Sequence, residues 1–424
     1  MLRPPSHPPS RAFRRLRRRR RTRTAVVVTA LLVLVAPANG AAAGPRFADA
    51  TQLAPGVRYE TFSAPTSHGT AHGHLLTVEL DDVHVKVELL RPDTADAVTG
   101  ARAPVSQLAD ARGAIAAVNG DFFNITEVEH PTVQPTGSTV GPAVADGRPL
   151  KAAVPDGQRF GPALAPGTTD EDVLSIGTDG AARLDRLRLL GSVTTPAGTQ
   201  ELAGLNQYAL PVDGIGGYTS DWGPSSRARA ACGTDHARAA ACDTDPYEVT
   251  VDHDSVTSVS TTLGEGLVPP GTAVLVGRGA GAGALRGLRP GDAVHVEYRL
   301  QATGDVPPAF AIGGYPILRD GVPLAGLDDT VAATRTAAGF GLQGHRLYLL
   351  ALDGATESGA GLTLGELARL LHDLGADGAV NLDGGGSSAL VTRPAGAAHN
   401  TVRNHPTGAA ERPVPNGIGV LSSV

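Results

Sequence analysis

"RLYLLALDGATESGAGLTLGELARLLHDLGADGAVNLDGGGSSAL", residues 346–390, reads as strand, helix and strand. "RLYLLALDG" (346–354) is a short apolar run of strand length that stops at Asp353. Thr363 followed three residues later by Glu366 is a capping box, and Leu362 and Leu367 stand where a hydrophobic staple closes. Leu364, Leu367, Leu371 and Leu374 then mark one apolar helix face, and Gly375 sits at the C-terminal cap. Glu366 is accordingly a capping residue rather than a catalyst. "GAVNLDGGG" is a second buried strand ending at Asp383. This order predicts a right-handed crossover between parallel neighbours. It would carry Asp353 and Asp383 to one sheet edge, where α/β sheets bind ligands.

Away from this unit the patterning is mostly strand. "HLLTVELDDVHVKVELL" (74–90) alternates Val83, Val85, Val87 and Leu89 with polar residues, and "AIAAVNGDFF" (114–123) is a short apolar run. "YEVTVDHDSVTSVS", "GTAVLVGRG" and "DAVHVEYRL" repeat the strand pattern between residues 247 and 300, with Gly and Pro turns between them. Residues 160–245 read as irregular connections. With 54 Gly, 32 Pro and 4% aromatic residues, the chain should hold many turns and short strands. The expected fold is α+β or mixed α/β: a mostly β core with a few packed helices. Residues 44–424 would form one large domain, with a β-rich insertion in residues 145–304.

Residues 1–43 carry an arginine run (Arg11 to Arg23), an apolar stretch about a dozen residues long from Ala25 to Ala36 and the small residues Ala41, Ala42 and Ala43. That is the order of a cleaved signal peptide, and the apolar stretch is shorter than the roughly 20 residues of a membrane span. Cleavage would leave a secreted chain without a stable span. Those residues hold ten arginines and no acids, so their removal takes the formal charge from −6 to −16, with 26 basic and 42 acidic side chains remaining. A chain so acidic lacks the basic footprint of a nucleic-acid-binding protein. Cys232 and Cys242 are the only cysteines, and in an exported chain so close a pair reads as a local disulfide contributing up to about 3 kcal/mol.

The segment "NLDGGGSSAL" (381–390) invites chemistry. Gly384, Gly385 and Gly386 let backbone approach a ligand and let successive N–H groups form an anion-binding nest. Ser387 and Ser388 add hydroxyls, and Asn381 and Asp383 can orient a sugar hydroxyl, a water or a metal ion. A glycine-rich hairpin turn is the alternative. No lysine follows the glycines as in a Walker A loop. Ala389 stands where G-x-S-x-G needs its last glycine.

"AVNGDFFN", "GPAVADGRPL", "TRTAAGF", the unit from Ala351 to Leu390 and "NHPTGAAERPVPNGIGV" resemble, in order, the motifs of the phosphodiester glycosidase family. The resemblance implies a hydrolase acting on a sugar-phosphodiester, such as a sugar like N-acetylglucosamine or a unit of a cell-envelope glycopolymer. Glycosidases generally use two carboxyl groups at an oxocarbenium-like transition state. A phosphomonoester leaves readily as an anion, so holding its charge matters more than protonating it. On this basis Asp383 or Asp121 would activate water or stabilise the sugar cation. The Gly384 to Ser388 loop and Arg335 would grip the phosphate, Arg335 with a bidentate guanidinium. Asn119, Asn381 and Asp353 would orient the sugar or the catalytic carboxylate, with all these residues meeting at one rim. Asp121 as a turn cap and Arg335 as a surface ion pair are the competing readings.

No cofactor is required by this chemistry, though aspartates beside glycine loops can hold a divalent cation. His68, His72 and His74 have zinc-like spacing without an evident fourth ligand. Two other functions stay open at this stage: a non-catalytic extracellular carbohydrate- or envelope-binding protein, and a phosphodiesterase cutting the P–O bond.

Overall fold

The helix Leu364–Asp373 forms as its sequence predicts. Glu366 N donates to Thr363 Oγ1 at 3.1 Å and Thr363 N donates to Glu366 Oε2 at 2.9 Å. The other oxygen of that carboxylate accepts from Ser67 N and Ser67 Oγ at 2.7 and 2.8 Å, which ties the helix start to the turn between two strands. Gly375 ends the helix at φ +85°. The computed structural model describes residues 44–92, 97–354 and 360–423, so the expected signal peptide in residues 1–43 lies outside the described residues.

The helix packs on an eight-stranded sheet. Its strands run, edge to edge, Arg46–Ala54, Val57–Thr66, Gly69–Glu79, Arg346–Leu352, Thr336–Gly341, Ala376–Leu382, Tyr315–Arg319 and Val322–Pro323, each antiparallel to the next. The crossover therefore does not join parallel neighbours. Strand Thr336–Gly341 lies between Arg346–Leu352 and Ala376–Leu382 and bonds to both. Because a single strand intervenes, the outer two still run the same way, and Asp353 and Asp383 leave the sheet at the same end, about 10 Å apart by two strand spacings.

Both faces of the sheet are buried, as strand alternation requires. Leu350 and Leu352 join Leu364, Leu367 and Leu371 under the helix. Leu347, Leu349, Val380 and Leu382 face the other way and pack with Val118, Ile418 and Val420 of a second, five-stranded sheet. That sheet is ordered Thr401–Val402, Leu390–Thr392, Ala116–Asn119, Gly417–Ser422, Val85–Leu90. The fold is thus β-rich, with curled sheets and three α-helices among the described residues; it is not a mixed α/β architecture.

Two strand expectations change. Residues 74–90 are not one strand: Gly69–Glu79 and Val85–Leu90 belong to different sheets, and Val83 is exposed in the turn between them. Asp82 makes that turn, its side chain accepting from His84 N at 2.9 Å and its carbonyl from Val85 N at 2.9 Å. Residues 160–245 are not irregular either, since they include strands Asp172–Gly177 and Ala182–Thr195. The alternation of Arg186 and Arg188 with Leu187 and Leu189 carried that signal inside a Gly- and Ala-rich stretch. These strands join a seven-stranded sheet with Ala143–Ala145, Arg148–Lys151 and Pro308–Gly313. A further five-stranded sheet holds Tyr247–Asp252 and Ser255–Ser260, joined by a hairpin at His253 and Asp254, both at positive φ. Cys232 and Cys242 form the expected disulfide.

Thr363→Ala removes the acceptor for Glu366 N–H and should lower the unfolding free energy by about 1 kcal/mol in urea titration, with an unchanged m-value.

Candidate active site

Asn119 ends the strand Ala116–Asn119, fully buried. Its amide nitrogen donates to the carbonyl of Asp383 at 2.7 Å, and its oxygen accepts from Thr336 Oγ1 at 2.8 Å and Ala389 N at 3.1 Å. The side chain expected to orient the sugar or the catalytic carboxylate bonds to protein on all three contacts, clamping both ends of the glycine loop that carries Asp383. Asp383 N donates to Gly120 O at 3.0 Å, which closes the same joint.

The loop itself is a short 3-10 turn, Gly385–Ser387. Its amides are largely committed: Gly385 N to Thr334 O at 2.8 Å, Ser387 N to Gly384 O at 3.1 Å and Ser388 N to Gly385 O at 3.2 Å. An open nest of amides at these three positions is not formed. The glycines serve close approach instead. A Cβ on Gly384 would stand 2.5 Å from the Thr334 carbonyl, and one on Gly386 would meet the Arg412 guanidinium at 2.3 Å. Gly385 takes φ +57°, in the left-handed region. Ser388 Oγ and Thr336 Oγ1 hydrogen-bond at 3.0 Å, while Ser387 Oγ accepts from Arg412 Nη1 at 3.2 Å.

Asp383 stands at the head of this turn. Burial pushes its carboxyl up to about 6, while the Ser387 hydroxyl, the Arg412 guanidinium and the Gly384 N–H pull it down. Asp121 is buried deeper. Burial raises it to about 7 against the pull of Lys151 and the N–H groups of Gly141 and Phe122, and the Asp383 charge adds to the rise. Gly141 N donates to Asp121 Oδ2 at 2.7 Å, and Asn416 Oδ1 accepts from the Asp121 backbone N at 3.1 Å. Lys151 and Asp170 complete the group and went unnoticed in the sequence, where no motif marks them. Burial lowers the Lys151 ammonium to about 7, and Lys151 Nζ donates to the carbonyls of Val140, Gly141 and Ala152. Burial raises Asp170 to about 8, with Asp156 and Asp121 adding to the rise.

Arg335 does not present a free bidentate fork. It is buried, and its Nε and Nη2 donate to the carbonyls of Leu362 and Val331 at 2.9 and 2.8 Å. The exposed cation at the loop is Arg412, within the quoted "NHPTGAAERPVPNGIGV" stretch but not singled out there. Asp353 accepts on Oδ1 from His74 Nε2 at 3.2 Å and from His405 N at 2.8 Å, and the ring Nδ1 of His405 stands 3.2 Å from it. Burial raises this carboxyl, but the two histidines outweigh burial and hold it low. His74 also bonds Tyr59 Oη at 2.7 Å, so this member of the histidine run sits within a polar chain on the sheet. Asn381 is buried with neither side-chain polar atom hydrogen-bonded. Among the described residues, the His/Cys/Asp/Glu atoms close enough to share an ion are those of His130, Cys232 and Cys242, and the two cysteines are the disulfide. No helix of the described residues is long and apolar enough to cross a membrane.

The segment carrying Arg335, Asp353, Asp383 and Arg412 has a counterpart among known proteins: residues 245–421 match the model of a family described as phosphodiester glycosidase. By sequence, residues 245–421 are thus similar to the phosphodiester glycosidase family. The match begins after Asn119 and Asp121, which reach the phosphodiester glycosidase region through the bonds above. In fold, the chain is similar to a hypothetical protein of Synechocystis, with a TM-score of 0.66 at 21% identity over 89% of this chain and 64% of that one. This chain thus spans somewhat less than two thirds of that protein. A candidate exported protein of Burkholderia pseudomallei gives the same TM-score and identity over 89% of this chain and 96% of its own. The catalytic domain of zebrafish N-acetylglucosamine-1-phosphodiester alpha-N-acetylglucosaminidase, auto-inhibited by its pro-peptide, aligns at a TM-score of 0.44 and 15% identity over 89% of this chain and 87% of its own. No curated protein matches the sequence.

Two measurements check this geometry. Asn119→Ala leaves buried partners unbonded and should cost about 1–3 kcal/mol of stability in urea titration. Asp170 keeps a proton in the folded chain that the unfolded chain releases near 3.8, so its contribution to stability is lost as pH rises from there through about 8. Asp170→Asn should flatten that decline in thermal melts taken across the window.

Proposed function

We propose that this protein is a secreted hydrolase that cleaves the glycosidic C–O bond of a sugar-1-phosphodiester, releasing free sugar and a phosphomonoester. The observation that carries the reading is the placement of Arg412 over Gly386, bonded to Ser387 beside the raised carboxyl of Asp383. A cation for the phosphate and a carboxyl group for the sugar stand side by side. The phosphodiester family match of residues 245–421 supports the bond type. The signal-like N-terminus and the disulfide support export.

The anomeric C–O bond breaks with its electron pair going to the phosphate oxygen. Arg412 and Ser387 hold the charge gathered there, and the departing phosphomonoester needs no proton from the protein. Ionised Asp383 faces the sugar cation or accepts the proton of the attacking water, whose oxygen bonds to the anomeric carbon. Asp121, behind it, sets the local field and is the second carboxyl group of the pair. The phosphate grip passes from Arg335, as the sequence suggested, to Arg412. Arg335 instead holds the chain at Val331 and Leu362 in place.

Hydrolysis of a panel of α-linked sugar-1-phosphodiesters, N-acetylglucosamine first, should release free sugar with the wild type and not with Asp383→Ala. Arg412→Ala should lower kcat about 10²–10³-fold, as loss of one charge-stabilising donor does, whereas Arg335→Ala should act mainly on stability. In ¹⁸O water the label should enter the sugar; label in the phosphate would mean P–O cleavage. The rate of the wild type should rise with pH through about 6, as Asp383 ionises.

A further inference from the structure

A cleft of about 360 Å³ lies far along the chain from the glycine loop, lined by strand residues of two sheets. Tyr298 stands in it on the strand His295–Ala302, and Val251 and Ala273 come from the neighbouring five-stranded sheet. The Tyr298 side chain is 37% exposed, against 0–8% for Tyr59, Tyr208, Tyr218, Tyr247, Tyr315 and Tyr348. It is not loose. Its strand pairs residue by residue with Ala182–Thr195, Tyr298 opposite Gly191, and its hydroxyl lies by Thr219. Arg148 and Asp221 form an ion pair in the same cleft, the arginine half exposed and the aspartate nearly buried. Thr219, Ser220 and Thr272 add hydroxyls.

We propose that the cleft around Tyr298, Arg148 and Asp221 is a carbohydrate-binding subsite that takes a pyranose unit of a neutral glycan. A rigid ring with one open face offers large contact area at little entropic cost, and the C–H face of a pyranose is the apolar surface that matches it. The ion pair and hydroxyls supply donors and acceptors at the level of the ring hydroxyls. Arg148 and Asp221 compensate each other's charge, and Asp254, also in the lining, pairs with His295 at 3.1 Å, which suits an uncharged ligand; the volume falls in the usual range for small-ligand sites. The cleft is also tied to the candidate active site. Arg148 and Lys151 are the two ends of one strand, about 10 Å apart at strand rise, so the cleft and the buried Asp121 group share that strand. The subsite does not depend on the proposed hydrolysis and would hold even for a protein that only binds.

The test is calorimetric titration with an N-acetylglucosamine tetramer, using the Asp383→Asn protein so that no turnover intervenes. Saturable binding is expected, weakened at least tenfold by Tyr298→Ala, kept by Tyr298→Phe and weakened by Arg148→Ala. Arg148→Ala reads the same surface should Tyr298→Ala fail to fold. Binding that is absent, or unchanged in both Tyr298→Ala and Arg148→Ala, overturns the proposal. Tyr298-dependent binding alongside an inactive wild type would leave the subsite standing and remove the hydrolase reading alone.

Discussion

The side-chain amide of Asn119 holds three chain segments at once, and the shape of the glycine loop follows from that constraint. One carboxamide bonds the carbonyl of Asp383, the hydroxyl of Thr336 and the N–H of Ala389. A buried amide with its partners in place costs little, whereas any partner left alone would cost about 1–3 kcal/mol. Strand end, loop entry and loop exit are therefore locked together. With both ends held, the three glycines have one short turn to make: Gly384 and Gly386 lie against Thr334 and Arg412 without side chains in the way, and Gly385 takes the left-handed φ.

The electrostatics follow from where this joint lies. It sits between two packed sheets, so Asp121, Lys151, Asp170 and Asp383 are withdrawn from water, and each is shifted toward its neutral form first by burial. Lys151 moderates the two inner carboxyls without touching them, because its donors go to backbone carbonyls. Asp383, nearest the surface, is shifted least of the three carboxyls, since Ser387, Arg412 and Gly384 favour its ionised form. A carboxyl that ionises near neutrality beside a fixed cation suits chemistry on a charged ester better than the fully exposed or fully buried alternatives.

The two arginines show how far a motif can be read. Arg335 and Arg412 lie in stretches of equal promise in the sequence, and a guanidinium's role depends on which acceptors surround it. Buried near the helix start, Arg335 meets two carbonyls that need donors. Exposed across the loop, Arg412 meets Ser387 and lies over Gly386. Asp353 likewise takes its partners from tertiary structure, since two histidines distant in sequence converge on it.

What the sequence alone determined is local. The capping box, leucine stripe and Gly375 set the helix through bonds and contacts within a turn or two. The glycine loop was recognisable because its residues are consecutive. Tertiary structure decided the rest. Strand Thr336–Gly341 slips between two strands that looked like neighbours, Thr336 meets Asn119 across 217 positions, and Lys151 and Asp170 join a site that no motif includes. Such pairings depend on which surfaces are buried together and on which polar groups then lack water, and neither quantity exists until the whole chain has folded.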